Sequence, residues 1–312
     1  MVFKANNRNK SSVTIDLKTH KGRDHAVTLL QHTDVVLEGF RPGVADRLGI
    51  GFAVAHAANP QVIYCSLTGY GQTGPMRDLA GHDINYMAMS GLLTQWSDHE
   101  HRPVVPKIQI ADLVGGIVAS EAILAALVAR NKTGQGQHLD VAMADAMVGL
   151  LNTHILIEDQ DGYPYGVEQL TGSVVCYNLY QTADHRYVSL GALEPKFWQM
   201  FCQAVERPEW IAHQFSAAHE DNPIYQAIRR LFLQCDLEFW ATMGRHVDCC
   251  LQPVLNVGEV AMGIAHERDM VFDLPTAGGG RLRQVSTHAG GHPTSGSGPR
   301  FLDPALSPDP LR

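Results

Sequence analysis

Along the first half of the chain, short apolar runs alternate with amphipathic stretches. Residues 12–17 alternate apolar and polar positions as a strand does, and residues 18–25 lead into an amphipathic helix ending near His32. Residues 34–38 read as a second strand, residues 44–48 as a helix and residues 62–67 as a third strand. After an apolar helix over 113–127 come a strand at 138–143 and a further apolar helix over 144–157. Strands that alternate with helices predict a mostly parallel sheet. Ligands of such sheets bind beyond the C-terminal strand ends, where the glycine-rich turns 39–43 and 68–75 fall.

The texture changes after residue 157. Residues 158–166 are polar and turn-rich, as in a linker, and 177–182 with 187–190 predict an antiparallel hairpin. Helices follow around 196–206 and 222–246. From Thr276 the chain is rich in Gly, Ser and Pro, which predicts a loosely packed tail. The implied division is a large domain over 1–157, a linker over 158–175, a smaller α+β domain over 176–265, and a C-terminal return and tail over 266–312. The fold class is α/β.

Composition narrows the field. The 312 residues suffice for two domains, and 45% hydrophobic with 18% charged content is that of an ordinary globular protein. A net charge of −8 with scattered Lys and Arg argues against nucleic acid. Ser120 and Glu121 interrupt the most apolar run, so no membrane span is expected. With no signal peptide and six cysteines in no disulfide spacing, the expectation is a reduced, cytoplasmic protein. Sixteen histidines show no paired ligand spacing, so no metal is expected.

Two segments carry candidate chemistry: Gly81-His82-Asp83-Ile84-Asn85-Tyr86, and Ala111-Asp112-Leu113-Val114-Gly115-Gly116. Each sets a proton-transferring group just ahead of an apparent helix, where backbone N–H groups and the helix dipole stabilise negative charge. Taken singly, Asp112 reads as an N-cap and His82 as a surface or core histidine. The glycine-rich turns lack the lysine of a phosphate-binding loop, yet Lys18, Arg41 and Arg47 cluster at strand ends where an anionic cofactor could sit.

Taken together, several motifs resemble the family III CoA transferases. They are Asn7-Arg8-Asn9-Lys10-Ser11, Thr14-Ile15-Asp16-Leu17-Lys18, Glu38-Gly39-Phe40-Arg41-Pro42-Gly43, Gly69-Tyr70-Gly71-Gln72-Thr73-Gly74-Pro75, Ala111-Asp112, Lys132-Thr133-Gly134-Gln135-Gly136-Gln137 and Gly191-Ala192-Leu193-Glu194-Pro195-Lys196-Phe197-Trp198. They run in family order over most of the chain.

The resemblance implies a Rossmann-like large domain, a smaller domain and an interlocked homodimer. It implies coenzyme A, carried as an acyl-CoA substrate, with Ile15, Lys18, Gly39, Phe40, Arg41, Arg47 and Asp83 in the binding set. Transferases of the family use the aspartate matching Asp112 as a nucleophile that forms an acyl anhydride. In the racemase branch the same aspartate and a histidine matching His82 flank the α-carbon, and a glutamate matching Glu194 orients the histidine. Transferases usually carry an aromatic residue at the position of His82, so the resemblance is nearest to the 2-methylacyl-CoA racemases. CoA transfer is the alternative, and a fragment that binds only CoA or a longer relative is a third. Family members begin with a further strand, helix and strand, so the chain reads as N-terminally truncated.

Overall fold

The computed structural model describes residues 2–7, 10–98, 100–275 and 280–286. Its contacts divide the chain into two units, Ile15–Val167 and the remaining residues on either side of that stretch. The architecture is two-domain α/β, with a Rossmann-like parallel sheet in the first unit and antiparallel sheets in the second.

In the first unit β1 (Val35–Glu38), β2 (Ile63–Thr68) and β3 (Gln137–Ala142) pair in parallel in the order β1-β2-β3. β2 is almost continuously buried because both of its faces are covered. Tyr64 packs with Leu30, Ala55 and Val62 beneath helices His20–Leu30 and Phe52–Ala58. Cys65, the next residue and therefore on the opposite face, packs with Val141 and with Ala119 of helix Ile110–Thr133. Small residues let that long helix lie close: Ala111, Gly115, Ala119 and Ala126 are its buried positions.

The second unit is built on β4 (Tyr177–Gln181), β5 (Tyr187–Gly191) and β6 (Leu251–Pro253), paired antiparallel in that order. Helices Pro195–Ala204, Pro223–Phe232 and Leu237–Val247 supply Trp198, Phe201, Phe232 and Trp240 to its core. Asn222 and Asp236 start the last two helices by accepting the amides of Ile224 and Phe239 at 3.0 Å each.

The structure departs from the sequence reading in five places. Residues 12–17 form no strand; the segment pairs with no neighbour, and Asp16 instead folds it into a turn by accepting the Lys18 amide at 3.0 Å. The helix carrying Asp112 begins at Ile110, so Asp112 lies inside its first turn. The run over 144–157 is two helices, Met143–Gly149 and Asn152–Asp161, and the second takes in the start of the polar stretch read as a linker. Residues 281–285 are not loose, because β8 (Arg281–Val285) pairs antiparallel with β7 (Val271–Pro275). Finally, Ser120 and Glu121 do not shorten the Ile110–Thr133 helix, whose 24 residues are long and apolar enough to cross a bilayer by length and composition. The rest of the expected tail, 276–279 and 287–312, lies outside the described residues, as do Arg8 and Asn9 of the first motif.

Candidate functional site

A cleft of about 410 Å³ opens at the C-terminal ends of β1 and β2, where a parallel sheet offers its binding edge. Gly39, Phe40, Arg41, Leu67 to Tyr70 and the segment from Leu79 to His82 line it. On the β1 side the Glu38 carboxylate accepts the Phe40 amide at 2.7 Å, and Gly43 turns the chain at φ 75° into helix Val44–Arg47. On the β2 side the Gln72 amide donates to both carboxylate oxygens of Asp140 at 3.0 Å, and the Gly71 amide to the Thr68 hydroxyl at 3.0 Å.

Tyr86 fixes the histidine segment. Its hydroxyl donates to the Gly81 carbonyl at 2.6 Å, and its ring meets Tyr70 edge-on with centroids 5.2 Å apart. A Cβ at Gly69 would lie 2.3 Å from that ring and one at Gly81 2.7 Å from it, so both glycines are needed for the tyrosine to seat. His82 follows at the N-cap of helix Asp83–Met89 with extended backbone, its amide donating to Asn85 Oδ1 at 3.0 Å. Its ring is exposed and lines the cleft.

Asp83 joins this segment to Asp112. Its Oδ1 accepts the Asp112 amide at 3.1 Å, taking one of the first-turn amides that a helix cannot satisfy itself. The Leu113 amide donates to the Gln109 carbonyl at 3.1 Å, so neither it nor the Asp112 amide is available to an oxyanion. The amides of Ile110 and Ala111, ahead of them in that turn, likewise lack an intrahelical acceptor. The paired glycines also differ: a Cβ on Gly115 would come 2.6 Å from Met143 Cγ, whereas Gly116 faces open space.

Partial desolvation, although the side chain reaches solvent, and the neighbouring Asp83 carboxylate raise the Asp112 pKa; His82 pulls the other way. An imidazole and a carboxyl of raised pKa thus share one neighbourhood.

The other sequence-selected residues are placed as follows. Gly39, Phe40 and Arg41 line the cleft; Ile15, Lys18, Arg47, Asp83 and Asp112 are not among its lining. Lys18 is exposed beside the Asp16 turn, where Arg23 Nη1 donates to the Leu17 and Lys18 carbonyls at 3.3 Å. Arg47 ends its short helix. Glu194 belongs to the second unit, exposed at the N-cap of helix Pro195–Ala204, where its backbone carbonyl accepts the Phe197 and Trp198 amides at 3.0 and 3.2 Å. Burial raises the Cys250 pKa, and the negative charge of Glu194 adds to that rise. Among the described residues no three His, Cys, Asp or Glu side chains converge as metal ligands. Tyr86, Asp140 and Arg77, a further lining residue, were missed by the sequence reading. The glycines at 69 and 81 with an aromatic at 86 were the available signal for the first of them.

The model of CoA-transferase family III matches residues 1–309. The chain is 33% identical over 260 residues to human α-methylacyl-CoA racemase, covering 81% of this chain and 67% of that one. It is 30% identical over 286 residues to an acyl-CoA transferase of Fusarium pseudograminearum, covering 88% and 61%. The crystal structure of Rv3272 from M. tuberculosis superposes with a TM-score of 0.79 at 28% identity, over 92% of this chain and 78% of that one. The chain thus spans about two thirds of the length of these curated relatives.

Proposed function

Because the chain belongs to CoA-transferase family III, we propose that it acts on acyl-CoA thioesters and moves the α-proton of a 2-methylacyl group, interconverting its epimers. The observation that carries this reading is the junction built by Asp83, which ties the Asp112 turn to the segment presenting His82. One group removes the proton while its electron pair moves onto the thioester oxygen, and the other returns a proton to the opposite face. A carboxyl of raised pKa is a stronger base than an ordinary aspartate, which suits removal from a weak carbon acid. Gly39, Phe40 and Arg41, with Ile15, Lys18 and Arg47, form the proposed CoA-binding set. Asp83, grouped with them by resemblance, has one carboxylate oxygen committed to the Asp112 amide. The part of Glu194, orienting the imidazole, rests on motif resemblance alone.

CoA transfer is the second reading, favoured by the family's name and by the fungal relative. There an Asp112 oxygen attacks the thioester carbonyl and CoA thiolate leaves. The thiolate then attacks the aspartyl carbonyl of the anhydride and expels the donor acid. An acceptor carboxylate displaces the thiolate from that aspartyl thioester, and the thiolate takes the new acyl group and frees Asp112. A paired substitution separates the two. Epimerisation requires both residues, so His82→Ala and Asp112→Ala should each lower it at least a hundredfold. In transfer only Asp112→Ala is disabling, and hydroxylamine traps an aspartyl adduct in the His82→Ala protein. That trapping result would replace the first reading by the second.

A homodimer is proposed as well. It is supported by the apolar face that helix Ile110–Thr133 leaves uncovered within its own unit.

A further inference from the structure

The charges around the cleft are one-sided. The whole chain carries 32 acidic against 24 basic residues, yet the lining holds Arg41, Arg77 and His82 and not one carboxylate. Such a lining concentrates anions. The Arg41 guanidinium makes no ion pair or hydrogen bond among the described residues; burial raises the pKa of the neighbouring Tyr86, and the Arg41 charge opposes that rise. Among the described residues Arg77 forms one ion pair, with Asp78 at 3.5 Å, and that Asp78 side chain is 80% exposed. An ion pair so open and so long holds a guanidinium weakly and leaves most of its five donors unused.

The backbone presenting Arg77 is nevertheless set. Gly74 turns at φ 86°, the Arg77 amide reaches the Gly74 carbonyl at 3.4 Å, and the Leu79 amide the Met76 carbonyl at 2.9 Å. An arginine on a formed turn, lining a cleft without acids that a second arginine also lines, has the makings of an oxyanion clamp.

We propose that Arg77 is a substrate-binding residue that, with Arg41, grips an oxyanion of the acyl-CoA substrate. The inference rests on the acyl-CoA reading above and extends it to a residue outside the motifs that carry the family resemblance. Two parts of such a substrate present the required chemistry: the phosphates of the CoA handle, or a carboxylate on the acyl group. Charge-assisted bonds of this kind correspond to roughly tenfold or more in affinity.

Isothermal titration of the full chain and of its Arg77→Met variant with CoA, pantetheine and succinyl-CoA decides the matter. A clamp on the phosphates weakens CoA and succinyl-CoA by about tenfold and leaves pantetheine unchanged. A clamp on a carboxylate weakens succinyl-CoA alone. Arg77→Lys, which keeps the charge but not the fork, should recover part of the loss. Equal affinity for CoA and for succinyl-CoA in wild type and Arg77→Met, or equal weakening toward all three ligands, would overturn the proposal. If the wild-type chain binds none of the three, the acyl-CoA reading fails and this inference with it.

Discussion

Asp112 is exposed to solvent yet holds its proton more tightly than an ordinary aspartate, because neighbouring protein atoms and the Asp83 carboxylate both disfavour its charge. A carboxyl whose folded pKa is raised stabilises the fold below the unfolded carboxyl range, and that contribution is lost as pH rises through the folded value. At neutral pH the ionised group is therefore a net cost to folding. Asp112→Asn should raise the melting temperature slightly at neutral pH, the gain shrinking as pH is lowered into the carboxyl range; the rise is small because solvent screens an open side chain. Thermal melts across that range check it, and a neutral-pH loss of stability would contradict it. Such coupling was only half legible in the sequence. The motifs single out His82 and Asp112 as candidates, but that Asp83 reaches across to the Asp112 amide could not be read from them, because a contact between residues 29 apart leaves no periodic trace.

Among the elements, the parallel strands and the β4–β5 hairpin were legible because apolar period and turn residues agree there. Residues 12–17 show the limit: alternation suggests a strand, but a strand also needs an edge to pair with. The split of 144–157 into two helices escaped for a related reason, since apolar residues continue through the break at Leu150 and Leu151 and conceal it. Close backbone approach is a further constraint that pattern alone does not expose. At Gly136, which leads into β3, an added Cβ would lie 2.2 Å from the Val62 carbonyl oxygen and 2.7 Å from the Val62 nitrogen. Those are backbone atoms of the chain entering β2 and cannot step aside. Gly136→Ala is expected to destabilise the protein by about 1–3 kcal/mol, read from urea unfolding. An unchanged midpoint would show that the two strands are less tightly tied than described.

For the whole molecule, the informative feature is the uncovered side of the Ile110–Thr133 helix. Leu113, Ile117, Leu124 and Val128 are 53%, 65%, 61% and 59% exposed, and their spacing puts them on one helical face. Fully burying each such side chain is worth about 1.5–3 kcal/mol, so leaving all four in water is a substantial cost that a second copy of the chain would remove. Light scattering should find a dimer, and Ile117→Lys combined with Leu124→Lys should shift it to monomer; a wild-type monomer at micromolar concentration would contradict the proposed pairing. The deciding test of the account addresses the chemistry. The protein is incubated with a single epimer of a 2-methylacyl-CoA in deuterium oxide, and the recovered thioester is weighed by mass spectrometry. The account predicts one deuterium at the α-carbon together with loss of optical purity, both abolished by His82→Ala and by Asp112→Asn. A folded, CoA-binding protein that returns the thioester with its α-proton untouched would contradict it.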